Sequence, residues 1–199
     1  MERTTKNLTN DTDSLRKDAK ENKRALIQAA LKLFKTEGPD VTLSEIAKIA
    51  KVSRMTCYRN FPDKKAIIEA VFNHNLDKLA DYALLLKNDA QAFFKLLYAV
   101  LELRIDYNLL LPYMSEEQSI EATKRLFEIF KNPIGKAKKT KQLRHDFSIK
   151  EDLILVIVML GGAISHVSLN SNKIEVNRAI QFILKGITPP SSISPLENN

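Results

Sequence analysis

Apolar and polar positions recur along this chain with a helical period almost throughout. Leu43, Ile46, Ala47, Ile49 and Ala50 sit at spacings that predict a short helix with one buried face. Thr42-Leu43-Ser44-Glu45 writes its start as a capping box, the Thr hydroxyl accepting the amide of residue 45 while Glu45 reaches back. Val41 before the cap and Ile46 four positions after it form a hydrophobic staple. The helix stops at Lys51-Val52-Ser53, and Ser53 caps a second helix carrying Arg54, Thr56, Tyr58, Arg59 and Asn60. Two short helices joined by such a turn can lay the second one in a DNA major groove.

The rest of the chain is also helical in pattern. Residues 1–20 are polar and without period, which predicts a tail, and residues 23–38 predict a first helix. Pro62-Asp63 ends the second short helix, with Asp63 as cap of a longer one that faces Ile67, Ile68, Val71 and Phe72 inward and breaks before Leu84. Phe93 to Ile105 trace another helix, Leu109 to Pro112 a break, and residues 116–130 a further helix. Residues 131–146 hold Lys131, Lys136, Lys138, Lys139, Lys141 and Arg144 with Pro133 and Gly135. They are read as a solvated loop or helix end, with an auxiliary anion or DNA contact as the alternative. Helices at about 149–169 and 174–186 follow. The expected organisation is a tail (1–20), a three-helix head (21–66), a helical domain (67–188) and a second tail (189–199).

Residues 153–164 are apolar on every side, which predicts burial in a core or subunit interface. Leu153, Ile157, Leu160, Gly161 and Ile164, with Ile180 and Ile183 of the last helix, are the expected interface of a homodimer. The run is well short of the roughly 20 residues a membrane span needs, so no membrane partner is expected.

Residues 20–75 resemble the TetR family of bacterial transcription regulators. The first helix ends in Phe34-x-x-x-Gly38, and the family's Thr-x-x-x-Ile-Ala-x-x-Ala-x-Val-Ser is present as Thr42, Ile46, Ala47, Ala50, Val52 and Ser53. Tyr58, Phe61 and Lys64 match its Tyr-x-x-Phe-x-x-Lys. Three positions depart from the pattern: Lys51 where a glycine usually makes the turn, Met55 near the start of the second helix, and Cys57 on its inward face. The resemblance implies an all-α fold, a helix-turn-helix head and a C-terminal domain for effector binding and dimerisation. It further implies a homodimer on a palindromic double-stranded DNA operator, most often a repressor released by a small molecule. An activator or co-regulator with the same head, and a ligand- or protein-binding module that has abandoned DNA, are the alternatives.

In that register Arg54, Thr56, Arg59 and Asn60 are placed at base edges, where Arg forks onto guanine and Asn onto adenine. Thr42, Ser53, Tyr58 and Lys64 are placed at phosphates. Met55 is either a groove contact or packing against Phe61. An implied effector pocket has Phe94, Tyr98, Tyr107, Tyr113, Phe127 and His166 as candidate walls, although core packing explains most aromatic residues and His166 suits a hydrogen-bonded core position.

Composition adds two constraints. A formal charge of +7 favours an anionic partner, without telling DNA from RNA or a membrane surface. Cys57 is the only cysteine, so no intrachain disulfide forms, and a cytoplasmic location fits. His74, His145 and His166 lack ligand spacing, and there is no phosphate loop or nucleophile elbow. The expectation is a non-enzyme with no cofactor and no metal.

Overall fold

A computed structural model describes residues 3–170 and 173–189; the side chains of residues 3–16, 105, 163–170, 173–177, 179 and 180 lie outside the description. The described elements are all helical: α1 (Arg3–Glu37), α2 (Leu43–Ala50), α3 (Arg54–Asn60), α4 (Lys64–Leu85), α5 (Ala92–Tyr107), α6 (Glu116–Lys139), α7 (Asp152–Asn170) and α8 (Lys173–Ile187). Two 3₁₀ turns, Gly38–Asp40 and Asn108–Tyr113, interrupt them. Two compact units result: residues 1–74 with 109–119, and residues 75–108 with 120–199.

The first unit closes on Leu26, Ala30 and Phe34 of α1, with Ile46, Cys57, Phe61, Ile67, Ile68 and Val71 buried in the same unit. Helix α1 starts at Arg3, where composition predicts a tail. No proline or glycine interrupts residues 3–37. Gly38 ends α1 with φ +75°, a conformation that L side chains rarely adopt. Helix α4 opens on Asp63, whose Oδ1 accepts the Ala66 amide at 2.8 Å, and it runs to Leu85 without the expected break.

Residues 109–119 belong to this first unit although they follow α5 in sequence. Ser115 and Gln118 form a capping box, with Ser115 N donating to Oε1 at 2.9 Å and Gln118 N to Oγ at 3.2 Å. Gln118 Nε2 then donates to Glu69 Oε2 on α4 at 2.7 Å. Leu110 is fully buried.

The second unit packs α5 against α7, and α7 against α8. Its centre is Phe93, which meets Phe94, Phe130 and Phe147 edge-on at centroid separations of 5.1, 6.1 and 5.8 Å. Leu96, Leu97, Leu143, Leu153 and Leu160 complete the core. Helix α6 continues to Lys139, nine residues past the expected end, with Pro133 buried inside it. Its end is marked by Lys141 at φ 57° and by the Gln142 amide donating to Ala137 O at 2.9 Å. The basic stretch 131–146 is therefore mostly helix. No described helix is long and apolar enough to cross a membrane.

Candidate nucleic-acid interface

The head is built from local signals. Thr42 Oγ1 accepts the Glu45 amide at 3.3 Å, and Glu45 Oε2 accepts from Thr42 N and Oγ1, each at 2.7 Å. The backbone and side-chain bonds from Thr42 hold the Glu45 carboxyl below the usual carboxylate range. Val41 and Ile46, the two halves of the staple, are buried. Leu43, Ile46 and Ala47 turn inward as expected, but Ile49 is 50% exposed. It lies roughly 120° around the helix from Leu43 at 3.6 residues per turn, off the buried face.

Lys51 caps α2 in the left-handed region at φ 56°, ψ 37°, and Val52 N donates to Ala47 O at 3.0 Å. The turn thus needs the conformation that glycine adopts without strain. Ser53 caps α3: its Oγ accepts the Thr56 amide at 3.1 Å and lies 2.9 Å from Thr56 Oγ1. Cys57 faces inward, fully buried, its Sγ 3.5 Å from Leu43 O. Burial pushes this thiol upward and keeps it protonated, the opposite of a reactive cysteine.

With Cys57 pinned inward, α3 turns Arg54, Met55, Tyr58 and Arg59 to the outside. Met55 is 81% exposed, so packing against Phe61 does not bury it. Two of the expected DNA contacts already have partners within the head. Asn60 Nδ2 donates to Thr56 O at 2.8 Å, tying its amide to its own helix. Lys64 Nζ donates to Pro39 O at 2.7 Å and sits 6.0 Å from the Tyr113 ring centroid, so its ammonium binds the head together. Both side chains are half-buried. The exposed side chains of α3 are two guanidiniums, a phenol and a thioether. Such a surface can hydrogen-bond to base edges and phosphates.

Of the six expected pocket walls, five have described side chains. Phe94 and Phe127 pack on the second unit's core, Tyr107 is buried and Tyr98 is half exposed. Tyr113 belongs to the first unit, beneath Lys64. The side chain of His166 lies outside the described residues. The two described cavities contain none of the six. Phe94, Tyr107 and Phe127 thus contribute ring area to packing.

The expected dimer residues lie on α7 and α8. Leu153, Ile157 and Leu160 are buried within their own protomer. Gly161 serves Arg104: a Cβ there would fall 2.5 Å from Arg104 Cδ and Nε. Ile183 is partly buried against the same core, and Ile164 and Ile180 have side chains outside the described residues. A helix apolar all round gives no phase to choose by, and among the described residues Leu155, Val158 and Met159 are left open, with Phe182 of α8 at 84% exposure.

Comparison with known proteins agrees with this head. Residues 26–71 match the model of the bacterial regulatory proteins, tetR family. The head itself, residues 26–71, is thus a TetR-family helix-turn-helix. An HTH-type transcriptional regulator of Staphylococcus aureus strain USA300 is 33% identical over 94 residues, covering 47% of this chain and 49% of the relative; its counterpart in strain N315 gives the same figures. The chain spans about half the length of the curated relatives it matches. Among solved structures, a TetR transcription regulatory protein from Mycobacterium vanbaalenii is 22% identical with a TM-score of 0.65, covering 88% of this chain and 99% of that one. A TetR transcriptional regulator from Streptomyces coelicolor is 20% identical with a TM-score of 0.65, covering 85% and 99%. At those identities the likeness carries the fold: an all-helical chain with this head and a C-terminal helical domain.

Proposed function

We propose that this protein regulates transcription as a homodimer that binds a palindromic operator through α3 and is released by a small-molecule effector. The observation that carries the reading is the outward face of α3, where Arg54, Met55, Tyr58 and Arg59 stand clear of a helix locked by Ser53 and Cys57. Its cationic character suits phosphate and base edges alike, and the chain's net charge of +7 adds a non-specific attraction. Arg54 and Arg59 read bases; Tyr58, Thr42 and Ser53 are phosphate contacts.

Dimerisation is supported by the apolar face of Leu155, Val158, Met159 and Phe182, which one protomer leaves in water. Two recognition helices must then meet major grooves roughly 34 Å apart. An effector that favours another spacing by about 1.4–3 kcal/mol lowers DNA affinity tenfold to a hundredfold. Such a release makes a repressor the simplest role.

Selection of binding sites from random duplexes tests the reading. Enrichment of a two-fold symmetric sequence whose affinity falls steeply with salt supports it. Finding no duplex bound above the non-specific level removes DNA regulation from consideration.

A further inference from the structure

Within the second unit, the last turns of α4, the segment after it and the C-terminal half of α6 enclose an open cavity of about 830 Å³. Small-molecule sites span roughly 300–1,000 Å³, so this one is of ligand size. Its floor is aliphatic: Ala80, Ala83, Leu86, Ala92, Ile129 and Pro133. At its rim stand Lys87, Lys131, Lys136 and Lys139, against the single acid Glu128. Glu128 Oε2 lies 3.8 Å from Lys131 Nζ, which leaves the other three ammoniums without a lining carboxylate. The nearby Asp89 bonds chiefly to others: Lys95 Nζ donates to it at 2.6 Å and the Gln91 amide at 2.7 Å, and these bonds, with smaller contributions from the charges of Lys95 and Lys136, hold its carboxyl below the usual range. Lys136 Nζ rests on the carbonyls of Asp89 at 3.1 Å and Lys87 at 3.5 Å, which fixes it at the rim.

Lysines at the end of α6 also complement its macrodipole. That accounts for the charges but not for an aliphatic floor open to water, nor for Leu84 at the mouth with 72% exposure. The lining contains no aromatic ring to stack on and no arginine to fork onto a planar anion. Lysine ammoniums are compact point charges that hold a carboxylate or phosphate without fixing its plane.

We propose that this groove binds a free amphipathic anion, an aliphatic chain carrying a carboxylate or phosphate head. The concave floor takes the chain and Lys87, Lys136 and Lys139 take the head. The inference adds a ligand class to the effector reading above and rests on it only for any regulatory consequence.

The chain has no tryptophan, so Leu84→Trp places one reporter at the mouth. Dodecanoate titrated into this DNA-free variant should shift the tryptophan emission to shorter wavelength. Dodecylammonium should not. Lys87→Glu with Lys139→Glu, both exposed positions, should weaken dodecanoate by about tenfold or more while leaving the far-UV circular dichroism and melting temperature of the full chain unchanged. Three results overturn the proposal: no shift with dodecanoate, equal shifts with both head groups, or a response to phosphatidylglycerol vesicles in place of the monomeric anion. Because no DNA is present, failure here leaves DNA recognition untouched, and a protein that binds no operator can still bind dodecanoate.

Discussion

Helices α2 and α7 are both apolar on more than one side, yet only one of them could be oriented from sequence. In α2 the inward positions Leu43, Ile46 and Ala47 are fixed by a cap at Thr42 and a staple at Val41, features within five residues of one another. In α7 the run from Leu153 to Leu160 has no polar position to set a phase, and its orientation comes from α5 and α8, which are distant in sequence. The structure turns Leu153, Ile157 and Leu160 to the core and leaves Leu155, Val158 and Met159 outside. Local hydrogen bonding orients a helix legibly; tertiary packing orients it only once the partners are known.

The sharpest way to break this contrast is to charge the two faces of α7 separately. Leu160 is 0% exposed, and Leu160→Arg should cost about 4 kcal/mol or more, abolishing cooperative thermal unfolding. Met159→Arg, one residue away and half exposed, should leave the melt of the protomer nearly intact and convert dimers to monomers in sedimentation. A folded dimer in both variants would remove the assignment of the two faces.

In the head, the cap carries the next largest effect. Thr42→Ala should lower stability by about 1 kcal/mol, seen in denaturant unfolding. Glu45 has its folded-state pKa depressed by the bonds from Thr42. Its contribution is therefore present above the unfolded carboxyl value and lost as pH falls through the lower folded value. The Thr42→Ala variant should lose less stability than the parent over that acidic window.

Lys64→Ala separates two roles. If the ammonium ties Pro39 O to α4, the variant should lose about 1 kcal/mol of stability and keep the salt dependence of DNA binding. A salt slope reduced by about one contact, at unchanged stability, would instead make Lys64 a phosphate contact. The smallest effect is expected at Lys51, held at φ 56°. Lys51→Gly should raise stability by up to about 1 kcal/mol by removing left-handed strain, read as a higher denaturant midpoint.

Much of the head was legible because its information is short-range: Thr42 and Glu45, Ser53 and Thr56, and Asp63 and Ala66 all lie three apart. The hydrogen bonds of Asn60 and Lys64 were less legible: one bonds within its own helix and the other reaches Pro39, 25 residues away. The Ser115–Gln118 capping box was written in the sequence and went unread behind the neighbouring acids Glu116 and Glu117. The continuation of α6 through Pro133 was hidden by the proline itself, a residue that usually ends a helix. The aliphatic groove beside the lysines had no linear signature, because its floor combines α4, α5 and α6.

The central claim is that the outward face of α3 reads sequence, and Arg59 tests it most directly. Anisotropy titrations of the parent and Arg59→Ala should be run on the selected operator and on a scrambled duplex at one salt concentration. The account predicts a loss of about 1–3 kcal/mol on the operator, a much smaller one on the scrambled duplex, and so a narrower gap between the two. An equal loss on both duplexes, or none on either, would contradict it.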